Sequence, residues 1–314
     1  MRNLLMLVGA SFCLMAYVAM VAAADEPTTA RGYYERAGKH ENNKRYAEAV
    51  ADLSKAIELD PKFVDAYFSR SSLYYQQPSL DKAAYAKAVA DLTKALDIEP
   101  KRFSFRFNRA LYYESLREYD KAIADYSEVI SGDTDFSRNG NGKEDCLARA
   151  HHYRGRAYQW YKSDYAKAVA DYTEALLLDP KVEMVIFRRG QAYHGLKEFG
   201  KAQDDFAVAL ERNPDNANIL EYWAWQLATC PDRKYRDGKK AVKYATMAHE
   251  KSRGQSPGSL GILAAAYAEA GQFDEAVKMQ RKGIELLGPT ANEQRKTMQA
   301  TLKLYEAGKP FRTE

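Results

Sequence analysis

The stretch Tyr46-Ala47-Glu48-Ala49-Val50-Ala51-Asp52-Leu53 recurs in related form at four later places in the 314-residue chain. Each copy has an alanine where this one has Ala49, and the later four are Ala88, Ala122, Ala168 and Ala202. The steps along this series are 39, 34, 46 and 34 residues, so a period of 34 is lengthened twice by an insertion. A fixed period of this size is typical of solenoids, in which each repeat packs only on its neighbours. The abundance of good helix formers predicts an array of helical hairpins.

Small, aromatic and proline residues recur at fixed positions of most repeats, although His40 replaces the ring of Tyr in the first repeat and the third lacks the final Pro. In the fifth repeat, Gly190 and Ala202 are small residues at positions 8 and 20, where two antiparallel helices can approach closely. Tyr193 and Phe206 are rings at positions 11 and 24, and Pro214 stands at position 32. Proline ends the second helix because it lacks an N–H and clashes with the preceding turn.

This pattern resembles the tetratricopeptide repeat (TPR), and it recurs about seven times over residues 28–289. The resemblance implies an all-α fold, a right-handed superhelical solenoid of antiparallel helix pairs. Residues 290–314 are then expected to form a polar capping helix and tail, because the terminal repeats of a solenoid must remain soluble. The segments 227–232, 236–242 and 304–311 resemble the C-terminal part of exported bacterial TPR proteins.

Residues 1–24 differ from the repeats and are typical of a signal peptide. Arg2 precedes an apolar run from Leu4 to Val21, which ends in Ala22-Ala23-Ala24. This order predicts cleavage after Ala24 and a periplasmic or secreted protein of the bacterial envelope. The run is also long enough to serve as an uncleaved membrane anchor. No later stretch is apolar enough to span a bilayer, so cleavage would leave no membrane span.

Charge and motif content argue against catalysis and against nucleic acid as a partner. The formal net charge is +4 and the charges are interspersed, whereas nucleic-acid binding needs a clustered basic face. The five histidines have no metal-ligand spacing, and the sequence contains no phosphate-binding glycine loop or hydrolase motif. We therefore expect a protein that is not an enzyme and has neither a cofactor nor a metal site.

An arginine at position 7 and an aspartate at position 23 recur in five repeats. Because these positions lie level on antiparallel helices, we expect one ion pair per repeat, a structural ladder that sets the register of each hairpin. The alternative is that the arginines bind an anionic ligand. The expected pairs are Arg36 with Asp52, Arg70 with Asp91, Arg109 with Asp125, Arg154 with Asp171 and Arg189 with Asp205.

Ring-bearing residues recur at position 5 of the first helix, which lines the concave groove in proteins of the family that the chain resembles. Further rings stand at positions 12 and 13. The candidate partner-binding residues are Tyr34, Phe68, Tyr75, Phe107, His152, Trp160, Phe187 and His194. These rings either face a partner or pack against the neighbouring helix, and the sequence leaves both open.

These features together predict a scaffold that binds a protein or peptide in its groove. The rings favour an apolar or proline-bearing segment over an acidic tail. Two alternatives remain: an envelope assembly or carrier factor anchored by residues 1–24, and a subunit that recognises a glycan or another small ligand. The identity of the partner and the oligomeric state do not follow from the sequence.

Overall fold

The computed structural model describes residues 26–76, 82–132, 134–136, 142–181, 183–251 and 256–313. The predicted signal peptide lies outside these ranges. Within them the chain forms fifteen α-helices and no β-strand, which confirms the predicted all-α fold. None of the helices in these ranges is long and apolar enough to cross a bilayer. The chain divides into two compact units, the first ending at Cys146 and the second beginning at Leu147.

The first unit contains three consecutive helix pairs, which correspond to the first three predicted repeats. They are α1 (Ala30–Asn42) and α2 (Tyr46–Leu59), α3 (Val64–Gln76) and α4 (Lys82–Ile98), and α5 (Phe103–Ser115) and α6 (Tyr119–Ile130). Each helix packs against the next along the chain. Pro61 and Pro100 follow closely after the ends of α2 and α4, as expected for a residue that cannot continue a helix.

The second unit contains four further pairs and a final single helix. They are α7 (Lys143–Ala157, whose first turn belongs to the first unit) and α8 (Tyr165–Leu178), α9 (Glu183–Gly195) and α10 (Phe199–Arg212), α11 (Ala217–Thr229) and α12 (Gly238–Lys251), α13 (Pro257–Glu269) and α14 (Phe273–Glu285), and α15 (Asn292–Glu306). Helix α11 packs on both α12 and α13, and α15 packs on α14. Within this unit, α8 also packs on α9, and α12 on α13, so the second helix of a pair contacts the first helix of the next.

The two helices of each pair approach closely at the predicted small residues. Ala202 is buried against α9 within a cluster that also contains Phe206. A Cβ atom on Gly190 would lie only 2.6 Å from the ring of Phe206, so a larger residue there would push the helices apart. Tyr126 and Tyr172, which occupy the same repeat position as Phe206, are also fully buried. These contacts are the physical reason for the small and aromatic pattern.

The turn inside several pairs has one repeated geometry. After α9, Lys197 adopts a left-handed conformation with φ 61°. Its N–H donates to His194 O at 2.9 Å, and the Glu198 N–H donates to Tyr193 O at 2.9 Å. This hydrogen-bond pair is the Schellman motif that ends many α-helices. Lys44, Arg117 and Gly271 occupy the same left-handed position in the first, third and seventh pairs.

Candidate functional site

All five predicted arginine–aspartate pairs are present as two-pronged ion pairs. The Nη2–Oδ1 distances lie between 2.6 and 2.8 Å, and the Nε–Oδ2 distances between 2.8 and 2.9 Å. The aspartates are buried and the arginines half-buried. Each guanidinium is thus neutralised within its own repeat, an arrangement that favours a structural role over ligand binding.

The ladder also links neighbouring helix pairs, a feature that was not predicted from the sequence. Arg70 donates from Nη1 to the Ser54 hydroxyl of the preceding pair at 2.9 Å. Arg109 and Arg189 make the equivalent bonds to Thr93 and Thr173, at 3.3 and 3.4 Å. In all three cases the hydroxyl stands two residues after the aspartate of the preceding repeat. This recurring hydroxyl is visible in the sequence, so the link could have been predicted from it.

The central phenylalanines among the candidate partner residues are packing residues. Phe107 is only 1% exposed, with its ring centroid 5.1 Å from that of Phe103 and 5.6 Å from that of Tyr126. Phe187 is 5% exposed and lies edge-on to Tyr222 at 5.5 Å. Both residues therefore pack against neighbouring helices and offer no surface to a partner.

The other candidates in the first unit are partly accessible, and they contact other side chains of the same unit. Half-buried Tyr34 has its ring 5.0 Å from that of Phe63 and accepts a hydrogen bond from the Ser69 hydroxyl at 3.4 Å. Phe68 is half-buried, 5.4 Å from Phe105. Tyr75 is 50% exposed and is the most accessible ring of this group.

The second unit brings two of the predicted residues, Trp160 and His194, into one pocket of about 240 Å³. Gln191 and Tyr222 also line it. Trp160 is 56% exposed, whereas burial lowers the pKa of His194 and raises that of Tyr222 to about 12. The imidazole and the phenol are therefore both neutral at pH 7.

Two buried polar atoms at this pocket have no hydrogen-bond partner among the described residues: Gln191 Oε1 and His194 Nε2. Leaving such a group unsatisfied in a buried position costs about 1–3 kcal/mol. The pocket therefore offers an acceptor and an imidazole nitrogen to a ligand, beside an exposed indole ring.

His152 lies near two arginines that belong to α7 and α9. Half-buried Arg188 and Arg156 are close enough to His152 that their charges, together with burial as the larger cause, lower the pKa of His152 to about 4. His152 is thus neutral at pH 7, and its Nε2 has no partner among the described residues. His152 stands at position 5. It is neither fully packed, as Phe107 is, nor fully exposed to the groove.

The exposed Trp160 lies in an irregular turn. Residues Tyr158–Lys162 form a π-helical turn that ends at Ser163, which is left-handed with φ 52°. Tyr158 and Tyr165 are one residue further apart than Tyr193 and Phe199, the equivalent residues of the next pair. The extra residue is accommodated by widening the helix, a feature that is frequent at functional sites.

An array of helix pairs with an accessible pocket on its first helices defines a helical-repeat scaffold suited to protein–protein interaction. Family models described as "TPR repeat" and "Tetratricopeptide repeat" match residues 43–77, 85–136, 154–217 and 257–286, which together make up more than half of the chain. The chain belongs to the tetratricopeptide repeat family.

Curated relatives share only part of their length with this chain. The human peptidyl-prolyl cis-trans isomerase FKBP4 is 28% identical over 152 residues, which are 46% of this chain and 32% of FKBP4. The DnaJ protein P58IPK homolog B of Oryza sativa is 28% identical over 210 residues, 62% of this chain and 43% of that protein. The chain therefore spans about a third to two fifths of the length of these relatives.

Solved structures share the fold at low sequence identity. A tetratricopeptide repeat protein from Parabacteroides merdae matches with a TM-score of 0.55 and 14% identity, over 89% of this chain and all of that one. PilF of Pseudomonas aeruginosa matches with a TM-score of 0.54 and 16% identity, over 72% and 92% of the two chains. YrrB, described as a TPR protein with an unusual peptide-binding site, matches with a TM-score of 0.50 and 17% identity, over 66% and 96%.

Proposed function

We propose that this protein is a non-enzymatic scaffold of the bacterial envelope that binds a peptide segment of a partner protein. The binding surface is the pocket of Trp160, Gln191, His194 and Tyr222 in the second unit. The observation that carries the proposal is the combination of an exposed indole with unsatisfied buried polar atoms in one pocket. Exposed aromatic rings and unmet hydrogen-bonding groups are where binding free energy concentrates.

A peptide matches the chemistry of this pocket. A backbone amide supplies both a donor for Gln191 Oε1 and an acceptor for the other end of that side-chain amide. An apolar side chain of the segment can cover Trp160, which has no other ring packed on it among the described residues. The peptide-binding site described for YrrB is in line with such a use of the fold.

The proposed location rests on residues 1–24, whose basic start, apolar run and closing alanines suit export and cleavage after Ala24. The intact mass of the protein recovered from the periplasm or medium measures this directly. A mature species that begins at Asp25 supports export. A full-length species held in the membrane fraction supports the anchored assembly factor instead.

Binding is tested by panning a phage-displayed library of random dodecapeptides against the purified protein and by probing a glycan array in parallel. We expect enrichment of peptides whose binding is lost in Trp160→Ala. Tyr75→Ala is the matched control, because it removes an equally exposed ring from the first unit. Glycan binding without peptide enrichment would favour a sugar-recognition subunit. Peptide binding insensitive to Trp160→Ala would reject this pocket.

A further inference from the structure

The C-terminal tail, residues 309–313, has no regular secondary structure and lies against the ends of two helices of the second unit. The ring of Phe311 is 5.7 Å from that of Trp225 on α11, a separation typical of favourable aromatic pairs. Arg312 Nη2 lies 2.5 Å from Oε2 of Glu269, the last residue of α13. The tail thus binds the helices as a short peptide would, through an aromatic ring and a cation.

The main chain of α11 supplies further contacts to the tail. The Thr313 N–H and hydroxyl both donate to Thr229 O at 3.0 Å, and Arg312 Nη1 donates to Ala228 O at 3.2 Å. The last carbonyls of a helix have no intrahelical donor and carry a partial negative charge, so they attract N–H groups and cations. Trp225, Ala228 and Thr229 are three and four residues apart, and they therefore share one face of α11.

The carboxylate that holds Arg312 keeps a partner of its own. Arg236 Nε donates to Oε1 of Glu269 at 3.1 Å, and Arg236 Nη1 donates to Cys230 O at 2.8 Å. If the tail leaves, Glu269 stays paired with Arg236 and is not left as an isolated buried charge, which is the costly case. Arg236 also fixes the orientation of the carboxylate, so the binding surface is formed before any segment occupies it.

The link between α15 and the tail allows the tail to leave alone. Residues 306–309 are exposed, and Gly308 has the left-handed φ of 67° that glycine adopts without strain. The Gly308 N–H donates to Tyr305 O at 3.0 Å, and the Lys309 N–H donates to Leu304 O at 2.9 Å. The end of α15 is therefore capped before the tail begins, and release of residues 310–313 breaks no hydrogen bond of that helix.

We infer that the tail is an internal ligand, which covers a second peptide-binding site and must leave before a partner binds there. The residues that hold it, Trp225, Thr229 and Glu269, differ from those that line the Trp160 pocket, so this inference goes beyond the proposed function. The contacts define the partner as an extended segment in which an aromatic residue is followed directly by an arginine. The tail regulates this site by competition.

The test uses the full chain and a fluorescein-labelled peptide with the sequence of residues 308–314, and it measures fluorescence anisotropy. The double variant Phe311→Ala, Arg312→Ala keeps the whole chain but removes the two side chains that anchor the tail. A tethered segment has an effective concentration of about 1 mM, so it weakens a free peptide with a Kd of about 100 µM by about tenfold. We therefore expect the peptide to bind the double variant about tenfold more tightly than the wild type.

Further substitutions test the chemistry of the site. In the double variant, replacing Phe by Ala or Arg by Gln in the peptide should weaken binding about tenfold each. Adding Glu269→Gln should bring the ratio between the Arg and Gln peptides close to one while preserving the effect of Phe. The matched control is Lys309→Ala in the wild-type chain, which alters an exposed residue beside the tail and should bind the peptide as weakly as the wild type. Circular-dichroism melts verify that each variant is folded.

Hydrogen–deuterium exchange of the wild type tests the displacement without any substitution. With the peptide in large excess, the amides of residues 311–313 should exchange faster, because Thr313 loses its acceptor on α11. Faster exchange at these positions supports the inference even if the double variant does not fold. Bound peptide with unchanged exchange of the tail overturns it.

Three other results would also show the inference to be wrong. Equal affinity of the wild type and the folded double variant means that the tail does not compete with the peptide. Absence of binding to both means that the tail is a fixed part of the second unit. A wild-type dimer that the double variant abolishes, measured by light scattering, means that the tail serves a second copy of the chain and does not act as an internal ligand.

Discussion

The Arg109–Asp125 pair is representative of the residues that hold each hairpin in register. Replacing Asp125 by Ala leaves a half-buried guanidinium without its carboxylate, so we expect the free energy of unfolding to fall by about 2–4 kcal/mol. Urea denaturation measures this loss. The matched control is Glu128→Ala, which removes an exposed carboxylate 3.7 Å from Arg106 and should cost less than about 0.5 kcal/mol. A wild-type midpoint for Asp125→Ala would show that the ladder is not structural and that its arginines are available to ligands.

Phe107 was a candidate for partner binding but is buried, so its replacement tests how much its packing contributes to stability. Phe107→Ala should lower the free energy of unfolding by roughly 3–5 kcal/mol, because it leaves a cavity beside Phe103 and Tyr126. Tyr75→Ala, in the same unit but half exposed, should lower it by less than about 1 kcal/mol. Chemical denaturation of the two variants side by side gives the comparison. Similar small losses for both would return Phe107 to the list of accessible residues.

His152 should make stability depend on pH in a defined window. Burial and the two nearby arginines lower its pKa to about 4 in the folded protein, whereas an unfolded histidine titrates near about 6.5. As the pH falls from 7 towards 4, the unfolded chain binds a proton that the folded protein does not, so stability is lost. His152→Gln should therefore reduce the loss between pH 7 and pH 5 by about 1–2 kcal/mol. Urea unfolding of both proteins at the two pH values measures it, and parallel pH profiles would contradict it.

At the scale of the helix pair, the turn that contains a left-handed residue could be made more stable by a substitution. Lys197 has φ 61° although its Cβ makes this conformation unfavourable. Lys197→Gly should therefore raise the free energy of unfolding by about 0.5–1 kcal/mol, measured by thermal or urea melts. Gly271, with φ 77°, is the reciprocal control, because Gly271→Ala should be destabilising by a similar amount. If Lys197→Gly is destabilising, side-chain contacts of the lysine outweigh its backbone strain.

The helix pairs could be predicted well from the sequence because their determinants are local and periodic. Ala202 and Gly190 mark where two helices touch, and Arg189 and Asp205 stand at spacings that antiparallel helices bring level. The π-helical turn at Tyr158–Lys162 could be predicted only in part. One extra residue is visible by comparison with the other repeats, but whether it loops outward or widens the helix depends on packing around it.

The candidate site could be predicted less completely than the helix pairs, because the exposure of each side chain depends on packing. Trp160 and His194 were among the predicted residues, yet so were Phe107 and Phe187, which are buried. At position 5, Tyr34 and Phe68 are half-buried whereas Phe107 and Phe187 are buried, so the exposure of a ring depends on the side chains around it. Phe187, for example, is covered by Tyr222. Gln191 and Tyr222 were missed because their place in the pocket depends on the residues around them, which no single position reveals.

On the scale of the whole chain, the C-terminal tail makes contacts that the sequence did not indicate. Tyr305 is buried, and Phe311 has its ring 5.7 Å from that of Trp225. Arg312 forms an ion pair with Glu269, and the Thr313 N–H donates to Thr229 O at 3.0 Å. The contact between Thr313 and Thr229 joins residues 84 apart in sequence, which is more than two repeat periods. The tail thus fastens the last helix pairs of the second unit to each other.

If the tail has this role, removing its aromatic side chain should weaken the second unit specifically. Phe311→Ala exposes part of Trp225 and should lower the free energy of unfolding by about 1–3 kcal/mol. The measurement is favourable because all three tryptophans, Trp160, Trp223 and Trp225, belong to the second unit, so their fluorescence follows that unit alone. We expect a red-shifted emission in the folded state and a lower urea midpoint. Lys309→Ala alters an exposed residue of the same segment and should leave both quantities unchanged. Wild-type emission together with a wild-type midpoint for Phe311→Ala would show that the tail rests on the second unit without stabilising it.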